Sequence, residues 1–174
     1  MLEQITSDPG LDTDPAWSPD GSAIAFTSNR GGSSDIWVVS AAGGVATQVT
    51  SDPTYTSYSA CWSPDGSQIA FVRYYDVWIG PAGGGTATKL TNLAGTGWCD
   101  DPAWSPDGNT IAFSYSPTSG DYNIWLVPAA GGAPVQLTTD PGGDHEPSWR
   151  PDGGRVSFRA YRSGQRDIWT IEAP

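Results

Sequence analysis

The chain has 174 residues, with 8 Lys and Arg against 19 Asp and Glu, for a net charge of −11. Phosphate backbones and anionic membrane surfaces repel such a chain, which excludes nucleic acid and acidic lipid as expected partners. The 22 Gly and 15 Pro argue against a helical protein, the 9 Trp, 7 Tyr and 4 Phe argue against disorder, and no apolar run approaches the ~20 residues of a membrane span.

The charge is uneven. Five arginines (Arg150, Arg155, Arg159, Arg162, Arg166) lie in the last 25 residues against three acids, so that quarter is basic and the remainder strongly acidic. Two cysteines, Cys61 and Cys99, do not make a disulfide framework, and one bridge between them is left open. The opening LEQITSDPG has neither the basic stretch nor the apolar stretch of a signal peptide.

In chain order, the first predicted element is a short strand, LEQIT, ending at Thr6. A unit then begins that recurs four times. A strand ends at Trp17, Trp62, Trp104 and Trp149, at spacings of 45, 42 and 45 residues. Each is followed by S-P-D-G (R-P-D-G in the fourth), closing on Gly21, Gly66, Gly108 and Gly153. Pro presets φ, Asp accepts nearby backbone N–H groups and Gly supplies positive φ, so each reads as a tight turn. Next comes an alternating strand (SAIAFTS, SQIAFVR, NTIAFSY, GRVSFRA), then a third around Trp37, Trp78, Trp125 and Trp169. A glycine-rich turn leads to a fourth, ending at Thr50, Thr91 and Thr138; the last repeat stops after its third strand. Repeat bounds are about 7–50, 51–91, 92–138 and 139–174, with 1–6 as an extra strand of the fourth type.

Four antiparallel strands every 42 to 45 residues mark a β-propeller blade. The expected fold is all-β: four four-stranded antiparallel blades in one unit spanning 1–174, with the N-terminal strand completing the last blade. That completion could occur within the chain or across a homodimer of eight blades. The eight repeat tryptophans read as packing between blades.

The run DPAWSPDGSAIAFTSNRGGSSDIWVV, followed by GG and QVT, resembles the WD40-like repeat of TolB-type propellers, and the resemblance covers essentially the whole chain. It implies a propeller that binds a protein or peptide partner and sits in the periplasm or otherwise outside the cytoplasm. The same repeat also occurs in the propeller halves of serine peptidases.

The first strand of a propeller blade lines the channel, so residues just ahead of each first Trp are the candidates for function. Three residues before it stand Asp14, Ser59, Asp101 and Glu146. Asp14, Asp101 and Glu146 could offer oxygen ligands to a hard cation such as Ca²⁺, or cap turns instead. Behind them, Asp12, Asp100, Asp144, His145 and Tyr58, with Trp98 in an expected loop, are candidates for contact with a ligand or partner. His145 is the only histidine, and the chain has neither a G-x-S-x-G elbow nor a phosphate-binding glycine loop. The reading is therefore a non-enzymatic scaffold for protein binding or self-assembly, with no assigned cofactor. The alternatives are a substrate-filtering propeller of a prolyl-oligopeptidase-like hydrolase, a cation- or small-ligand-binding propeller, and a truncated or engineered propeller piece.

Overall fold

The structure is a computed structural model, and it describes residues 2–93, 95–117, 120–162 and 164–174. Met1, the first residue of the expected N-terminal strand, lies outside them. The described residues form strands and turns without helix, and no helix is long and apolar enough to cross a membrane.

Blade 1 is β1 (Asp12–Trp17), β2 (Ala23–Ser28), β3 (Asp35–Ser40) and β4 (Thr47–Gln48). Blade 2 is β5 (Ser57–Trp62), β6 (Gln68–Arg73), β7 (Asp76–Pro81) and β8 (Thr88–Lys89). Blade 3 is β9 (Trp98–Trp104), β10 (Thr110–Ser116), β11 (Asn123–Pro128) and β12 (Val135–Gln136). Blade 4 is β13 (Asp144–Trp149), β14 (Arg155–Arg162) and β15 (Gln165–Glu172). Each is an antiparallel sheet ordered as in the sequence, four-stranded in the first three blades and three-stranded in the last. The expected all-β propeller of four blades is thus present. The fourth strand of blade 4 is not supplied from within the chain: the N-terminal segment lies against blade 1, and among the described residues no ladder joins it to β15.

The turns form as their residues dictate. Gly21, Gly66, Gly108 and Gly153 take φ of 71°, 71°, 78° and 76°, and the preceding aspartates accept the N–H of Ser22, Ser67, Asn109 and Gly154 at 3.0 Å. Hydrogen bonds from Ser18 and Ser22 pull Asp20 down to about 2, and those from Ser63 and Ser67 do the same to Asp65.

Between successive blades lies one apolar cluster. Ala25, Ile36, Val49, Ile69 and Phe71 join blades 1 and 2; Val72, Val77, Ile111 and Phe113 belong to the cluster between 2 and 3; Ile124, Leu126, Val156 and Phe158 join 3 and 4. The first strands pack side by side (β1 on β5, β5 on β9, β9 on β13), which places them on the inner side of the arc. No comparable packing joins blade 1 to blade 4 among the described residues, so the four blades form an open arc. The tryptophans follow that geometry. Trp104 is buried between blades, whereas Trp17 at one end of the arc is 62% exposed, so the expectation that all eight repeat tryptophans pack between blades does not hold at the ends.

Candidate functional site

All four inner strands carry the same irregularity. Their pairing with the second strand slips between Thr13 and Ala16, between Tyr58 and Cys61, opposite the segment Ala112 to Ser114, and between His145 and Ser148. At each slip stands a non-glycine residue with left-handed backbone: Asp14 (φ 51°), Ser59 (55°), Asp101 (51°) and Glu146 (55°). These are the four residues singled out by their spacing from the first Trp. A bulge with a left-handed residue bends the strand and re-aims side chains. L residues resist that conformation by about 1–2 kcal/mol each, so its fourfold repetition is a built feature of this rim.

Between blades 2, 3 and 4 the rim is knit by short bonds. The Ser59 hydroxyl donates to Asp100 at 2.8 Å, and Asp100 also accepts the N–H of Asp101 at 2.9 Å. Asp101 accepts the Ser114 hydroxyl and the N–H of Glu146, both at 3.2 Å. Burial, and then the neighbouring Asp100, raise Asp101 to about 6. Burial and Asp100 also raise the Tyr58 and Tyr122 phenols, so both remain neutral hydrogen-bonding groups at physiological pH. His145 stacks on Tyr122 with ring centroids 4.4 Å apart. Its burial, followed by the charge of Arg159, lowers its pKa and favours the neutral ring. Arg159 binds Glu146 at 3.0 Å.

Asp14, Asp101 and Glu146, the expected cation ligands, each have a hydrogen-bonding partner within the chain. Among the described residues no group of three His, Cys, Asp or Glu is disposed to hold a metal ion. Asp101 accepts the Glu146 N–H and the Ser114 hydroxyl, Glu146 accepts from Arg159, and Asp14 accepts the Thr13 hydroxyl at 3.1 Å.

Two other candidates are structural. Asp144 is fully buried and held by Arg162 at 2.9 Å, so it does not reach a ligand. Asp12 is held by Arg30 at 2.8 Å. Burial raises Asp12, but the hydrogen bonds of Ser28, Arg30 and Thr6 outweigh it and lower the pKa. Arg30 and Arg162 in turn lie over the rings of Phe26 and Trp37, and of Phe158 and Trp169. The same lock uses Ser57 and Arg73 in blade 2, at 2.9 Å.

Trp98 and Cys99 open β9 instead of lying in a loop. Trp98 is exposed and meets Tyr75 edge-on at 4.6 Å, the end of a row of rings that continues through Tyr74 to Tyr55. Cys99 is buried, and both thiols are free. The Cys61 sulfur accepts the Trp104 N–H at 3.3 Å, linking blade 2 to blade 3. Sequence reasoning missed Tyr122 and Arg159. Tyr122 lies in the connection between the second and third strands of its blade, away from the residues leading into each first Trp, and Arg159 lies in β14.

The model of the TolB β-propeller domain matches residues 1–81 and 59–174. The chain belongs to the TolB β-propeller domain family. A TolB-type protein from Agrobacterium tumefaciens superposes with a TM-score of 0.81 at 29% identity, over 91% of this chain and 60% of that one. TolB from Acinetobacter baumannii gives 0.79 at 20% identity, over 97% and 42%. The Tol-Pal system protein TolB of Anaeromyxobacter dehalogenans strain 2CP-1 is 57% identical over 37 residues, which is 21% of this chain and 8% of that protein. The TolB-type chain thus matches only part of each relative's length.

Proposed function

We propose that this TolB-type propeller unit is a non-catalytic scaffold that binds a protein segment at the bulged inner rim. The observation that carries the reading is the left-handed backbone at Asp14, Ser59, Asp101 and Glu146, which holds the rim in a strained, repeated shape. Between blades 2 and 4 that rim offers Tyr58, Asp100, Tyr122 and His145, a half-buried mix of neutral rings and an acid suited to an extended segment carrying a Lys or Arg. The non-catalytic part is supported by His145: the sole histidine is stacked on Tyr122 and forms no hydrogen bond to a serine or cysteine among the described residues. An extracytoplasmic location accords with the family.

The test is binding of fluorescent basic peptides, read by anisotropy, with Asp100→Asn and Tyr58→Ala as variants. Binding by the parent chain that falls at least tenfold in either variant supports the site, given that a charged contact is worth ~1.5–3 kcal/mol. Equal binding by parent and variants would contradict it, and turnover of an ester or peptide panel would contradict the non-catalytic reading.

A further inference from the structure

We propose that the exposed row of rings formed by Tyr55, Tyr74, Tyr75 and Trp98 is a second strip of the rim's binding surface, and that an arginine of the bound segment stacks on it. This rests on the scaffold reading and deepens it by naming a side chain that the partner brings.

The row lies in the middle of the arc. Tyr55, Tyr74 and Trp98 are exposed, although blade 2 packs between blades 1 and 3, and blade 3 between blades 2 and 4. Their exposure is therefore not that of an open end. The hairpin that carries the row is built against its own sequence. Arg73 pairs with Asp76, which leaves Tyr74 and Tyr75 as the two turn residues, at φ 47° and 63°. Glycine and asparagine fill such a turn at least cost, and bulky side chains resist it. Here the strain holds the Tyr74 ring out in solvent instead of burying it, which points to recognition.

Steps of 4.6, 5.7 and 4.2 Å lead from Trp98 through Tyr75 and Tyr74 to Tyr55, room for about four residues of extended chain at ~3.3 Å each. The near end of the row meets the rim. Trp98 stands two residues before Asp100 in β9. The Tyr58 phenol is raised by burial first, then by Asp100, and by Tyr75 as well, so rim and row share one neighbourhood. A segment held by a cation at Asp100 is thus led across the rings.

Charge and ring geometry name the group. The chain has no Lys or Arg between Lys89 and Arg150. Both cations of blade 2 are spent elsewhere: Arg73 binds Ser57 and Asp52 and lies over Phe71 and Trp78, and Lys89 binds Asp76. The strip is therefore aromatic, with the Asp100 carboxylate beside it and no cation of its own among the described residues, and cations are drawn to ring faces. The ring planes turn by 36°, 41° and 76° between neighbours, so the row gives no flat platform for a run of sugar rings. A planar guanidinium needs one ring face at a time. The chain uses the same contact internally: Arg30, Arg73 and Arg162 each lie over two rings, 4.8 to 5.6 Å from the centroids.

The test is fluorescence anisotropy of the full chain with two labelled Gly-Ser peptides of equal charge, one carrying a Lys and two Arg, the other three Lys at the same places. The parent chain should bind the Arg peptide roughly threefold more tightly or better, the scale of exposed cation–π contacts. Tyr74→Gly and Tyr55→Ser should each remove that preference while binding of the all-Lys peptide remains, and Asp100→Asn should weaken both peptides. Glycine takes φ 47° freely, so Tyr74→Gly keeps the turn, and Tyr55→Ser removes a ring without touching the hairpin. Equal binding of both peptides by the parent, weakened by Asp100→Asn, would overturn the row and leave the rim standing; binding of neither would overturn both. A preference for Arg that survives in the two ring variants would overturn the row, as would binding of labelled cellohexaose that those variants abolish.

Discussion

Asp101 of blade 3 accepts the backbone N–H of Glu146 in blade 4 at 3.2 Å, so one bulged inner strand is tied to the next through the left-handed residue of each. The carboxylate that makes this bond is half-buried beside Asp100, and the rim therefore trades stability for shape.

That trade gives the stability a pH dependence of definite sign. Burial and Asp100 raise Asp101 from 3.8 to about 6 in the folded chain. The folded state holds this proton more tightly than the unfolded state, so the associated stability is full below pH 4 and is lost as pH rises through 6. Asp101→Asn keeps the acceptor without the charge. It should raise the melting temperature at pH 8, by ~1 kcal/mol in stability after solvent screening, and leave it unchanged at pH 4. An equal effect at both pH values would contradict the assignment.

Gly66 sits at φ 71° with only the Pro19 ring at 3.8 Å from a prospective Cβ. Space is available, so Gly66→Val costs the backbone conformation alone, about 1–2 kcal/mol. Chemical denaturation should show that loss with an unchanged m-value; an unaltered midpoint would contradict it.

Arg162 is the partner of a fully buried carboxylate. Arg162→Ala should destabilise by ~3 kcal/mol, because it strands Asp144 without its counter-charge. Asp144→Asn in the same background should recover part of the loss. Additive single effects would contradict a direct lock.

The acids of the rim are already partnered, and so Ca²⁺ at millimolar concentration should not shift the melting temperature. A rise that disappears in the Asp14→Asn, Asp101→Asn, Glu146→Gln triple variant would restore the cation site.

Much of the fold was legible because its signals are local. S-P-D-G fixes a turn through three residues with separate physical reasons, and the 42- to 45-residue period sets one blade per repeat. Spacing from the first Trp also located Asp14, Ser59, Asp101 and Glu146. It did not reveal their left-handed backbone, because none is a glycine and the bulge is imposed by strand pairing and by packing of the inner strands on one another. Tyr74 and Tyr75 hide the same way: both have positive φ in the hairpin between β6 and β7, where Asn-Gly would announce the turn. The roles of Asp12 and Asp144 depended on Arg30 and Arg162, 18 residues further on in each case, a pairing that becomes visible only when the second strand folds back. The open ends were hidden for a different reason: each repeat resembles the next, while closure depends on how the four blades are arranged in space.

Fluorescence anisotropy of a basic peptide titrated with the parent chain and with Asp100→Asn tests the central claim, that the bulged inner rim is a binding surface. The expected result is binding by the parent that falls at least tenfold in the variant. Equal binding by both would contradict it.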